Sequence, residues 1–357
     1  MEFVTPSREL EFAAALSSNQ QAAWATPLAD GVMNKVLSLN NLFAPRPSRN
    51  ARSDRARFGK GHEFATPGGF LTRLKDAPIT IQGDLSSYVA GWLGMFELGK
   101  VVTDQPDAGG NPTVYRHIFT FFDPLVAVTK QPPVTTVYTQ EGSAAAFMTK
   151  LRAMAVARAA IFGENRGDLQ FSADMLGSGE RVEDPVTVGA PTAVSYLDMG
   201  GMVFTLGPQT AAVDLSERLV NFRCEFDPDL DGPNGYHPGS GLYRGRIWIG
   251  SNRRASFSAG VWLKEDSADI LDYWDDETLL EAKFKITGPP ITGPYFHDVE
   301  IFYPSVRLDE VPIGARDGKM IHELSVSENL YKDAGAGVNE PVQITVINTE
   351  AAYGTAS

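Results

Sequence analysis

The sequence predicts a mainly β protein, built as two tandem β-sandwich domains that each carry one short flanking α-helix. Three observations predict it. Gly and Pro number 34 and 23 in 357 residues and punctuate short alternating runs, as turns do between strands. The decapeptide YRHIFTFFDP at 115–124 returns as YFHDVEIFYP at 295–304, with Tyr, His and Pro in the same places. Each copy is also preceded by an alternating run and then a helical apolar face.

In order along the chain, residues 1–45 are mixed and weakly periodic, and read as an N-terminal arm. The stretch 44–62, APRPSRNARSDRARFGKGH, reads as a basic loop, with Arg46, Arg49, Arg52, Arg55 and Arg57 set against Asp54. It opens a first domain over 46–188. PITIQGD then alternates as a strand. Leu85, Tyr88, Val89, Trp92, Leu93 and Phe96 mark one helix face, with Asp84 as the expected N-cap and Gly99 as the stop. A turn-rich loop at 103–113 leads to strands near 114–122, 133–140, 147–161 and 168–176. The Ala content of 147–161 leaves a helix open there. Residues 178–200 are a soft boundary.

The second domain, 189–357, repeats the plan. FSAGVWLKED alternates. SADILDYWDD forms a short helix with Ile270, Leu271 and Trp274 on one face and Asp266 or Ser267 as cap. KFKITG, YFHDVEIFYP, KMIHELSV and PVQITVINT follow as strands. A shift of 182 residues places Asp84 on Asp266 and Trp92 on Trp274; a shift of 180 places Tyr115 on Tyr295 and His117 on His297. A period this long suggests two copies of one domain rather than a solenoid, whose repeats run roughly 20–50 residues.

Composition and motifs exclude much. The net charge of −13 makes tight binding to a phosphate backbone a poor expectation, since Lys and Arg supply that affinity. Acidity suits a surface that nucleic acid passes without sticking. Cys224 is alone and reads as a small core residue, so no intramolecular disulfide is expected. The N-terminus lacks a signal-peptide layout, and no apolar run is long enough to span a membrane. Phosphate-loop, dinucleotide, zincin and nucleophile-elbow motifs are absent. His117 and His297 read as strand residues that pack or bond locally. FDPDLDG, with Asp227, Asp229 and Asp231, starts like a calcium loop, but Pro238 stands where the bidentate Glu belongs. An acidic exposed loop is the better reading. Asp275, Asp276 and Glu277 read as a solvated helix end rather than as acid–base carboxylates. Neither an enzyme nor a cofactor is expected.

The order of elements resembles that of the major tail tube proteins of long-tailed bacteriophages. The arm is followed by PITIQGDLSSYVAGWLGMFELG, TVYRHIFTF and GDLQFSADMLGSGE. Then come RLVNFRCEF, LYRGRIWIGSNRRASFSAGVWLKED, a short helix, KITGPPITG and PVQITVINT. The resemblance covers most of 60–350. It implies tail-tube-like sandwiches whose sheets join between subunits into a central β-barrel, in rings that stack into a conduit for DNA. It implies a virion protein of the phage tail, made in the host cytoplasm, with itself, a tape measure and a terminator as partners. The repeat favours a ring of three two-domain chains over one of six chains. The five arginines of the basic loop are the expected contacts between rings or subunits. The alternatives are another β-sandwich virion component, such as a decoration or tail terminator protein, or a carbohydrate-binding or carbohydrate-active sandwich.

Overall fold

The computed structural model describes residues 12–43, 51–53, 70–72, 78–122, 131–141, 149–164, 167–182, 194–209, 211–231, 235, 243–250, 252–263, 268–316, 319–327 and 340–354. Strand accounts for 58% of the described structure and helix for 11%, so the class is mainly β. The first half holds β1 (Phe12–Leu16), β2 (Lys35–Phe43), β3 (Ala51–Ser53), β4 (Phe70–Thr72) and β5 (Ile79–Asp84). Helix α1 (Ser87–Leu93) follows, then β6 (Gly99–Asp104), β7 (Tyr115–Phe121), β8 (Thr135–Glu141), β9 (Thr149–Glu164), β10 (Gln170–Leu176) and β11 (Arg181–Val182). The second half holds β12 (Met202–Pro208), β13 (Val213–Asp214), β14 (Leu219–Asp227), β15 (Leu230–Asp231), β16 (Trp248–Ile249) and β17 (Arg254–Trp262). Helix α2 (Ala268–Asp275), β18 (Leu280–Thr292), β19 (Tyr295–Val306), β20 (Ile313–Arg316), β21 (Lys319–Val326) and β22 (Gln343–Asn348) complete the chain.

Two sheets face each other across the main core. The larger has 11 strands, ordered β10-β5-β2-β1-β8-β9-β14-β17-β21-β20, with β11 beside β9. Because β10 also pairs with β9, its first part closes on itself as a small barrel of β1, β2, β5, β8, β9 and β10. The smaller has seven strands, ordered β13-β12-β18-β19-β22-β7-β6. Both sheets draw strands from both halves of the sequence. The expected boundary at 178–200 therefore interrupts neither sheet, and one apolar cluster runs from Trp92 and Phe119 to Phe284 and Tyr303.

One further expectation is corrected here. Residues 12–16 and 35–43, read as part of an arm, are paired strands of the large sheet, because FAAAL and KVLSL bury alternate or consecutive apolar residues against β8 and β5. Residues 149–164 form the longest strand among the described residues, in line with the strand expected near 147–161; the helix that its Ala content left open does not form. Ala153 takes a positive φ of 52° and its N–H donates to Gln21 Oε1 at 2.8 Å. The kink divides β9, which pairs with β8 before the bend and with β14 beyond it.

The element order does repeat. Both halves run strand, helix, hairpin, hairpin: β5-α1-β6-β7-β8-β9 and β17-α2-β18-β19-β20-β21. In both, the first hairpin lies in the small sheet and the rest in the large one. Pairing within the copies differs, since β17 lies directly beside β21 whereas β10 separates β5 from β9. The decapeptide strands β7 and β19 flank the same strand, β22, and both run antiparallel to it. Across Val346, His117 is level with Val299, not with His297.

Helix α1 is capped by Ser86, whose Oγ accepts from Val89 N–H at 3.2 Å. Asp84, the expected cap, instead ends β5 and accepts from Asn40 Nδ2 at 3.0 Å. The helix continues into one π-helical turn, Gly94–Leu98, and stops at Gly99 with φ 86°, as the sequence predicts. All of 87–98 is buried. Such close seating needs glycine twice: a Cβ on Gly91 would lie 2.5 Å from Tyr353 Cζ, and one on Gly94 would lie 2.6 Å from Phe119 Cγ. Gly94→Ala is expected to cost about 1–3 kcal/mol, read as a lower denaturation midpoint.

The π-helical turn also buries Glu97, which is 4% exposed with neither carboxylate oxygen partnered. Burial pushes its carboxyl well above the usual range, and Asp227 and Asp174 push the same way. A raised folded-state pKa stabilises fully below the ordinary carboxyl range and loses that contribution as pH rises through the folded value. Glu97→Met is therefore expected to raise the melting temperature near neutral pH. Each kcal/mol recovered is worth about 2–4 °C or less at this chain length. The variant should also flatten the fall in stability above about pH 4. An unchanged pH slope in thermal melts refutes this.

Candidate functional site

The feature with the widest reach is a continuous run of eight strands, β2-β5-β10-β9-β14-β17-β21-β20, four from each half. Strand alternation gives it two unlike faces. On β14, Val220, Phe222, Cys224 and Phe226 point into the core, while Asn221, Arg223, Glu225 and Asp227 point away. On β10 the outward residues are Gln170, Ser172 and Asp174; on β17 they are Arg254, Ser256 and Ser258.

Register joins these residues into rows. One row reads Gln82, Ser172, Ala160, Glu225, Ser256. The next reads Asp84, Gln170, Phe162, Arg223, Ser258, Ser325. The outer face is thus polar, mostly short, and mixed in charge. Glu225 sits at its centre. Arg158 Nη2 donates to Oε2 at 2.6 Å and Arg223 Nε donates to Oε1 at 2.5 Å. Partial burial pushes the Glu225 carboxyl up, but these two bonds outweigh it and hold it below the usual range. Arg223 also lies over the Phe162 ring, 5.1 Å from its centre. A cleft of about 280 Å³ opens beside the cluster, lined by Arg158, Glu225, Asp227, Arg254, Ser256 and Ser327.

At the end of the run, β20 pairs with β21 alone among the described residues, and Ile313 on it is 56% exposed. At the other end, residues 41–43 of β2 pair with β5, while among the described residues β1 is paired with β2 over Lys35–Leu39. A larger cavity of about 590 Å³ lies between the 3-10 turns Met199–Gly201 and Ser216–Arg218 and strand β14, lined mainly by Met199, Met202, Leu219, Val220 and Trp262. Among the described residues that line it, Glu217 is the one ionisable group.

The residues singled out by sequence fare unevenly. Arg46, Arg49, Arg55, Arg57 and Asp266 lie outside the described residues; the backbone of Arg52 belongs to β3, opposite Leu71. His117 is fully buried. Its Nε2–H donates to the Glu350 carbonyl at 2.9 Å, so the Thr103 hydroxyl donates to Nδ1 at 2.9 Å. Burial holds its pKa below the usual value. Tyr115 and Tyr295 stand at the starts of β7 and β19, both half-buried. His297 is half-buried and meets Ser87 Oγ through Nδ1 at 2.9 Å. Both histidines have local partners, but not matching ones.

Asp227, Asp229 and Asp231 do not converge. Asp227 Oδ1 accepts from Asp229 N–H at 2.8 Å, and Asp229 Oδ2 accepts from Asn252 N–H at 2.9 Å. Among the described residues no three His, Cys, Asp or Glu side chains gather as a metal site. Glu277 lies past the end of α2 and pairs with Arg307 at 3.7 Å. Trp92 is fully buried against Phe96, but Trp274 is corrected: it is 43% exposed, its indole N–H donating to Asp309 O at 3.1 Å. One aromatic fills the core and its counterpart caps a surface helix.

Sequence reasoning missed Arg158, Arg223 and Glu225. The alternation of NFRCEF exposes the last two, but Arg158 lies 67 residues before Glu225 and only the pairing of β9 with β14 joins them. Among the described residues, no helix is long and apolar enough to cross a membrane. The chain matches no protein-family model and no curated protein.

The inequivalence of the two tryptophans is measurable. Trp92→Ala is expected to cost about 3–5 kcal/mol. Trp274→Ala is expected to cost under about 1 kcal/mol beyond its one hydrogen bond, both read from denaturant unfolding.

Proposed function

We propose that the protein is a structural subunit of a phage tail tube, which assembles into stacked rings around a lumen for DNA. The observation that carries this reading is the eight-stranded run, whose end strand β20 pairs on one side only and whose other end strand, β2, meets β1 only over Lys35–Leu39 among the described residues. Unpaired edges invite pairing with another chain, and closing them in a ring removes the hazard they present. Three copies would supply 24 strands. At roughly 4.8 Å between strands the wall measures about 115 Å around and about 37 Å across at the backbone, before tilt widens it. Barrels of roughly 16–18 strands already leave an aqueous channel, so this one would admit a double helix.

The polar outer face of the run would then be the lumen wall. The core face is already covered by the small sheet, so the run can turn only its polar side inward. The chain's net charge of −13 disfavours retention of phosphates along the passage.

Electron micrographs of the purified protein should show rings or tubes with a stain-filled centre. Ile313→Pro removes an N–H from the end strand and is expected to abolish the rings while the chain stays folded by circular dichroism. Monodisperse, ringless wild-type particles over a wide concentration range would overturn the reading.

A further inference from the structure

We infer that Glu225 is the residue that keeps the outer face of the eight-stranded run from holding a nucleic-acid backbone. The inference takes its setting from the tube reading, in which this face lines the lumen. Two exposed guanidiniums on adjacent strands are what a phosphate backbone selects, since a planar fork of donors fits phosphate oxygens two at a time. Here both forks are already engaged. Glu225 stands between β9 and β17, and gives one oxygen to Arg158 and the other to Arg223.

The surroundings reinforce that engagement. Asp174 lies directly across from Arg158 on β10, and Asp227 is two residues along β14 from Glu225. Arg158 is held in its charged form first by the Glu225 hydrogen bond, then by the charges of Glu225, Asp227 and Asp174. Arg254, opposite Asp227 across the strands, brings the third guanidinium to the same cleft. Three arginines and three carboxylates therefore balance on this patch. Beyond them, one row ends in a further carboxylate, Asp84, and the remaining outward groups are Ser, Gln, Ala and Phe, which offer a phosphate little. Surface ion pairs of this kind contribute little stability. Their consequence here is electrostatic: the arginines face outward without offering a free fork.

Removing one carboxylate should convert the patch. In Glu225→Gln the charge balance turns positive and two guanidiniums become available. In a three-copy ring that change is repeated three times around the wall. A merely structural Glu225 would, when replaced, change stability and leave DNA affinity alone.

The test is fluorescence anisotropy with a labelled random-sequence DNA duplex, titrated with the full chain at several salt concentrations. Thermal melts check that each variant is folded. Wild type should bind weakly. Glu225→Gln should bind about tenfold tighter at low salt, with a log–log salt slope steeper by about 2, one unit for each phosphate newly held. Adding Arg158→Gln and Arg223→Gln to that variant should return both quantities to the wild-type values. Glu225→Ser serves as a second variant should the Gln variant not fold. Folded variants with wild-type affinity and slope overturn the inference. Electron micrographs of the same preparations keep the two readings apart. Tubes with unchanged affinity refute the role of Glu225 alone, while a gain in affinity without rings refutes the tube reading and leaves the electrostatic one standing.

Discussion

The structure depends on where its last strand lies. β22 is inserted between β7 of the first half and β19 of the second, and pairs with both over five or six residues. Its alternation is strict: Ile344, Val346 and Asn348 point into the core and are buried. Without it the small sheet would fall into two pieces, each with a new open edge in the middle of an apolar layer. The residues that follow fasten the strand to the opposite end of the chain. Glu350 pairs with Lys35 at 3.0 Å and accepts from Ser18 Oγ at 2.8 Å, while its carbonyl takes the His117 proton. Tyr353 packs edge-on against His117 and Phe119, and its hydroxyl takes the amide of Asn348 at 2.8 Å. Gly91 and Gly94 exist in this helix because Tyr353 and Phe119 come that close.

A second join, β9 against β14, does for the large sheet what β22 does for the small one. Before the bend at Ala153 this strand pairs mainly with β8; beyond it, the strand pairs with β10, which closes the barrel, and with β14, which carries the sheet into the second half. Small residues at 155 and 159 suit a strand buried this deeply, since larger side chains would hold the layers apart. The same composition made the segment ambiguous as sequence. Local propensity favours a helix in an Ala-rich stretch, and the burial available on both faces of a paired strand overrides it.

What was legible in the sequence follows from this. The strands at 79–84, 115–121, 135–141 and 170–176, the helix at 87–93 and its stop at Gly99 are written in local periodicity and could be read directly. The core face of β14 was also legible, because NFRCEF alternates. The cap was misplaced by two residues because Asp84 and Ser86 are both good caps, and Asp84 is taken up by Asn40. Pairings over long sequence separations were not legible. PVQITVINT reads as a strand but carries no sign that it would lie between the two halves. Neither Arg158 nor Glu225 carries any sign of the other. Repetition also misled in one respect: it suggested two bodies side by side, whereas the sheets run through both.

The unequal fate of the two helices bears on symmetry. α1 and α2 hold the same place in the repeated order, yet α1 is buried all round while α2 leaves Trp274 in solvent. The cause is the C-terminal segment. Tyr353 covers α1 by packing on Tyr88, His117 and Phe119, and there is one such segment per chain. A chain with two copies of a unit and a single closing segment is necessarily asymmetric between them. Under the tube reading, a ring of three such chains therefore presents six similar units to the lumen side but only three equivalent positions on the helix side. The six-unit regularity would belong to the sheet, which must close around a duplex, and would be broken where the helices lie, away from the wall.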